Sequence, residues 1–312
     1  MKYLLTLLFS CWLMFISFSQ TLSEKEGYIN VQGGRVWYKI IGNGKKTPLL
    51  FIHGGPGSRS CTYISPFSML GNDRPIIVYD QLGTGRSDRP TDSSLWQLPR
   101  FINEIDSIRK ALGLTTLHIV GHSWGGAVLA EYLLAKQPKG VVSAIFVSPY
   151  LGTPSWMADA KILVSNLPQH IRDTINKYEN LKEYRAAAYL AATDSFYARH
   201  MSLRQWPPAK VKECDSSTSN TAIYQYMWGA SEFNVSGTLK SFDRVPDLKH
   251  IQQPVLFIAG QQDETRPATM ATFHKKVKGS KLIIIPNSGH LLQIDQAGMF
   301  ISSIKQFIDA VE

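Results

Sequence analysis

The sequence predicts an α/β fold: a mostly parallel sheet covered by helices on both faces, with a helical block inserted late in the chain. Three observations carry this expectation. First, PLLFI (48–52), RPIIVYD (74–80), LHIV (117–120) and VVSAIFVS (141–148) are apolar runs without the alternation of a strand that has one wet face. Second, amphipathic stretches separate them; Phe101, Ile105, Ile108 and Leu112 recur at helical spacing before LHIV. Third, the alternation stops near Leu151, helical patterning continues to about Asp243, and strand-like PVLFIAG (254–260) and KLIIIP (281–286) follow.

Taken in order, INV and RVWYKII flank Gly33-Gly34 as a hairpin at the start of the sheet. PLLFI ends in His53-Gly54-Gly55-Pro56-Gly57, and RPIIVYD ends in the glycine-punctuated turn Gln81 to Ser87. In the inserted block, Ile171, Ile175 and Tyr178 form one stripe and the Ala-rich run Tyr184 to Ala192 suggests a further helix. A last helix is expected from about Gln296 to Val311. The boundaries implied are a core domain of residues 20–150 and 244–312 and a helical cap of residues 151–243.

The 312 residues suffice for one large domain with an insertion, and 44% hydrophobic against 18% charged residues describes a globular chain. The net charge of +9 is scattered, with no basic run longer than two residues, so nucleic acid is not an expected partner. Residues 1–19 resemble a secretory signal: Lys2, an apolar run, then Ser17 and Ser19 at cleavage spacing, leaving Gln20 first. A retained membrane anchor is the alternative, although the run is short for a span. The expected location is periplasmic or secreted, without stable membrane insertion once the signal is gone. Cys61 and Cys214 would then be the remaining cysteines. Export permits their pairing, but a core this large does not require it, and the sequence leaves the question open, as it does oligomeric state. No Cys/His cluster has metal-ligand spacing, and no cofactor is expected.

The stretch with most chemical content is GHSWGG, residues 121–126, where Ser123 stands between a strand-like and a helix-like run. Gly121 and Gly125 would let a sharp strand-to-helix turn close where a side chain would strike backbone. This is the pattern of the nucleophile elbow in an α/β-hydrolase fold. A serine hydroxyl needs a base and an orienting carboxylate, which in that fold follow in the order acid, then histidine. Among later histidines, only His290 follows a strand directly on a small-residue loop; His170 and His200 lie in the insertion, His250 precedes a strand and His274 is on a helix. Asp263 ends the preceding strand. The candidate triad is therefore Ser123, Asp263 and His290, with Trp124 N–H and Gly55 N–H as oxyanion donors. The Trp124 ring is also expected against the substrate.

With HGGPG, DQLGTGRSD, GHSWGG, MWGASEF, SGTLKSFD, GQQDETRP and SGH in place, the sequence resembles the proline iminopeptidases over nearly all of the mature chain. The branch is that of the tricorn-interacting aminopeptidases and bacterial amino-acid amidases. The resemblance implies cofactor-free release of N-terminal proline or small apolar residues from peptides or aminoacyl amides. It also implies an amine site built from Glu232 and Glu264, with Tyr224 lining the same pocket. An ammonium removed from water needs carboxylate partners, which agrees with two acids. One departure is Ala230, where the family segment usually has proline. The rival readings are an ester or amide hydrolase without an amine requirement and a catalytically inactive binding protein.

Overall fold

The strand Leu49–Ile52, β3, shows why the sheet is covered on both faces. All four residues are buried, and successive side chains enter different cores: Leu50 and Ile52 join one cluster, Leu49 and Phe51 the other. The computed structural model describes residues 22–204, 207, 209, 214 and 219–312. The proposed signal, residues 1–19, lies outside them.

Eight strands form one sheet in the order β1-β2-β4-β3-β5-β6-β7-β8. β1 (Lys25–Val31) and β2 (Gly34–Ile41) make the expected hairpin, and β2 pairs antiparallel with β4 (Ile76–Tyr79). The remaining pairs are parallel: β3 lies between β4 and β5 (Leu117–His122), followed by β6 (Val141–Val147), β7 (Val255–Gly260) and β8 (Lys281–Ile285).

Of the helices, α1 (Cys61–Ser68), which carries Pro66 in its interior, was not anticipated. α2 (Leu98–Ala111) carries the expected stripe, with Phe101, Ile105 and Ile108 buried. α3 (Trp124–Glu131) follows the GHSWGG turn and runs into a π turn, Tyr132–Lys136. Between β6 and β7 come α4 (Thr153–Ser165), α5 (Gln169–Leu181), α6 (Ala187–His200) and α7 (Thr221–Met227). The Ala-rich run starts its helix at Ala187, three residues later than Tyr184, and extends to His200. α4, α5 and α6 share a small core around Leu163, Ile171, Ile175 and Phe196, whereas Ile223 and Met227 of α7 join the larger core. An isolated antiparallel bridge, Gly152 to Asp243, pins the two ends of this segment together. α8 (Pro267–Lys276), the short α9 (Leu292–Asp295) and α10 (Ala297–Val311) complete the chain.

Cys61 and Cys214 form a disulfide with Cα atoms 6.0 Å apart, joining α1 of the sheet layer to the helical segment. Among the described residues no helix is long and apolar enough to cross a membrane.

Candidate active site

Ser123 occupies the turn between β5 and α3 with φ of 53°, a conformation rare for a residue with a side chain. Glycines on either side make it possible. A Cβ on Gly121 would lie 2.3 Å from Gly125 O, and one on Gly125 would lie 2.2 Å from Ile52 O. Neither site can yield, since both obstacles are backbone.

The turn opens into a cavity of about 420 Å³ lined by Ser123, His290, Gly55, Tyr224, Glu232 and Glu264 together with aromatic and loop residues. His290 follows β8, and its Nδ1–H donates to Asp263 Oδ1 at 2.8 Å. Asp263 follows β7 and is almost fully buried. Four bonds in all meet its two oxygens: Ser148 Oγ at 2.5 Å and Gly260 N at 3.1 Å on Oδ2, Thr265 N at 2.9 Å and the imidazole on Oδ1. A carboxylate so satisfied stays an acceptor and fixes the imidazole with Nε2 as its lone-pair nitrogen. Burial pulls the His290 pKa down, but the charge and hydrogen bond of Asp263, aided by Glu264 and Glu232, outweigh it and leave it raised. The Ser123 hydroxyl and His290 share the cavity without a direct hydrogen bond among the described residues; such bonds commonly close only around substrate.

The loop from His53 to Gly57 passes directly beside the serine, since a Cβ on Gly54 would sit 3.1 Å from Ser123 Cβ. His53 Nε2 accepts the Gln81 N–H at 2.9 Å, so its proton is on Nδ1, which donates to Gly54 O at 2.7 Å. Burial first of all holds the His53 pKa low and keeps it neutral. The Gly54–Gly55 peptide is trans, so holding its carbonyl toward His53 turns the Gly55 N–H the opposite way. Gly55 lines the cavity, and neither its N–H nor that of Trp124 has a hydrogen-bond partner among the described residues.

The Trp124 ring corrects one expectation. It does not line the cavity but lies buried edge-on to Phe101, centroids 5.3 Å apart, with its indole N–H donating to Gln81 Oε1 at 3.1 Å. The helix that the serine turn starts points this side chain toward α2 rather than into the cavity. The same Gln81 donates to His53 O at 2.8 Å, so one amide ties the serine turn to the glycine loop. Asp80, its neighbour, receives Ser60 N–H and Oγ at 2.8 Å and grips the other end of that loop.

Glu232 and Glu264 are brought into the same cavity. Glu232 Oε2 accepts from two phenols, Tyr224 and Tyr197, each at 2.7 Å. Glu264 is buried, and its Oε1 has no hydrogen-bond partner among the described residues. Burial, opposed by His290 and reinforced by Glu232 and Asp263, raises its pKa to about 8. Both acids also border a small apolar recess with Trp156, Leu163, Phe196 and Phe233.

Sequence reasoning missed Tyr197, Ser148, Gln81 and His122. His122 donates from Nε2 to His290 O at 3.1 Å, and burial keeps it neutral by holding its pKa well down. His200, set aside as a base, instead accepts the His290 N–H on its carbonyl at 2.8 Å. Ser148 could have been suspected from its place directly after a buried strand; Tyr197 carried no signal beyond helical periodicity.

Residues 47–297 match the family model described as alpha/beta hydrolase fold. The proline iminopeptidase of Heyndrickxia coagulans is 40% identical over 92% of this chain and 99% of its own length. That of Clostridium botulinum is 31% identical over 91% and 98%. The crystal structure of a Mycobacterium smegmatis proline iminopeptidase superposes with a TM-score of 0.84 at 26% identity, covering 92% of this chain and 98% of that one. With sheet order, serine turn and sequence in agreement, this chain belongs to the proline iminopeptidase family of α/β hydrolases.

Proposed function

We propose that the protein is a serine aminopeptidase that releases N-terminal proline, or another small apolar residue, from peptides through an acyl-enzyme. The observation that carries the reading is the pair of acids, Glu232 and Glu264, sharing one cavity with Ser123 and His290 and making no ion pair among the described residues. A substrate ammonium supplies the missing positive charge.

In this account Ser123 Oγ attacks the carbonyl of the first residue while His290 Nε2 takes its proton, with Asp263 stabilising the imidazolium that forms. The oxyanion accepts from the Gly55 and Trp124 N–H groups. His290 then delivers its proton to the leaving nitrogen, and water, activated by the same imidazole, releases the acyl group as a free amino acid. Tyr197 and Tyr224 occupy one oxygen of Glu232, which leaves the other for the ammonium. Residues 151–243 act as a cap in this reading, since Trp156, Tyr197, Tyr224 and Glu232 come from them.

The test is Glu232→Gln. Removing one carboxylate from a buried cation site costs about 2–5 kcal/mol. Hydrolysis of prolyl p-nitroanilide is therefore expected to fall roughly 30-fold or more relative to p-nitrophenyl acetate, which has no amine. Equal loss on the two substrates would overturn the amine site.

We further propose export, to the periplasm or beyond. The apolar run before residue 20 and the Cys61–Cys214 bond, of a kind that persists outside reducing compartments, support it. Fractionation with N-terminal sequencing checks this, with Gln20 as the expected first residue of an exported form.

A further inference from the structure

We infer that Gln293 and Tyr63 form a leaving-group subsite, in which Gln293 Oε1 accepts the N–H and the Tyr63 hydroxyl donates to the C=O of the amide that follows the departing residue. This deepens the proposed aminopeptidase reading and rests on it. The substrates so favoured are peptides of three or more residues and dipeptide amides, rather than arylamides or esters.

Both side chains line the catalytic cavity, and both are almost fully buried, Gln293 at 1% and Tyr63 at 3% exposure. Yet Gln293 Oε1 and Tyr63 OH have no hydrogen-bond partner among the described residues. Buried polar atoms are rarely left so, because each has given up its water without replacement. The two orphans are also complementary. Gln293 Nε2 is directed at Thr62 Oγ1, 3.4 Å away, which leaves its oxygen as an acceptor. Burial, aided by the charge of Asp263, raises the Tyr63 pKa well above its usual value, so its hydroxyl stays a donor. One acceptor and one donor are what a peptide unit needs, whereas a nitroaniline or an alcohol offers no second amide.

Their placement fits the leaving side. His290 must return its proton to the leaving nitrogen, so the departing chain has to pass the imidazole. Gln293 stands three residues beyond His290 at the start of α9, and the intervening Leu291 also lines the cavity. Tyr63 packs against His122 with ring centroids 5.4 Å apart, and His122 packs against His290 at 4.7 Å. The apolar recess shared by Glu232 and Glu264 involves none of Thr62, Tyr63 or Gln293. The acids thus border a recess that the orphaned pair does not reach.

The test compares kcat/KM for Pro-Ala-NH2 with kcat/KM for prolyl p-nitroanilide in the parent enzyme, Gln293→Ala and Tyr63→Phe. Loss of one neutral hydrogen bond should lower this ratio about 5- to 10-fold in each variant. Tyr63→Phe removes only an unpartnered hydroxyl, so the folded state should survive it, and it decides the matter alone if Gln293→Ala does not fold. A ratio unchanged in Tyr63→Phe, or in a folded Gln293→Ala, overturns the subsite. A parent enzyme inactive on prolyl p-nitroanilide would instead refute the aminopeptidase reading itself.

Discussion

Replacing Glu264 by Gln should yield an enzyme that is more stable at alkaline pH and poorer at its reaction. The carboxyl is buried, one oxygen lacks a partner among the described residues, and its pKa is raised from 4.5 to about 8. The folded protein therefore holds this proton more tightly than the unfolded chain does. The resulting stabilisation is fully present below pH 4.5, erodes as pH rises, and is gone above about pH 8, where a buried anion stands without compensation. A shift of that size corresponds to at most about 5 kcal/mol, and relaxation around the charge reduces it to about 2–4 kcal/mol. Gln keeps the shape without the titration. Denaturant unfolding of the empty enzyme should thus show parent and variant close together at pH 5, with the variant more stable by that amount at pH 9. Prolyl p-nitroanilide hydrolysis should fall roughly 30-fold or more, since the ammonium loses a carboxylate. A variant no more stable than the parent at pH 9, or one that keeps its activity, would refute the argument that Glu264 is a strained acid retained for substrate.

Two further outcomes follow from the packing around the site. Gln81→Ala cuts the tie between the Trp124 indole and the His53 carbonyl, which should loosen the Gly55 and Trp124 N–H groups proposed as oxyanion donors. Losing a donor outright costs about 100- to 1000-fold in kcat, so a loss of about tenfold or more in kcat with little change in KM is expected, and an unchanged kcat would contradict the positioning role. Cys214→Ser opens a link between residues 153 apart in sequence, and thermal unfolding should reveal a loss of about 2–5 kcal/mol that reducing agent reproduces in the parent.

What could be read from the sequence was whatever steric or chain-order rules constrain tightly. The serine turn was legible because Gly121 and Gly125 face backbone at 2.3 and 2.2 Å, a requirement no other residue meets. Asp263 and His290 were legible because each directly follows a buried strand of a parallel sheet, where one end of every strand faces the same edge. The rest depended on long-range packing. Tyr197 reaches Glu232 from 35 residues away, and Gln81 reaches Trp124 from 43, with nothing local to announce either bond. The Trp124 ring was misread for the same reason: its neighbour in sequence faces the cavity, but the first turn of α3 sends its own side chain to Phe101. No element was expected at α1, which carries Pro66 in its interior.

The central claim is that a free N-terminal amine, held by Glu232 and Glu264, is what admits a substrate to Ser123. It is tested most directly by the ratio of kcat/KM for prolyl p-nitroanilide to that for its N-acetyl derivative, measured on the same purified enzyme. Without the ammonium the two acids face an uncharged amide and Glu264 keeps its proton below about pH 8, which predicts a ratio of roughly 30 to several thousand in favour of the free amine. A ratio near one would contradict the account and make the protein a general amidase of the same fold.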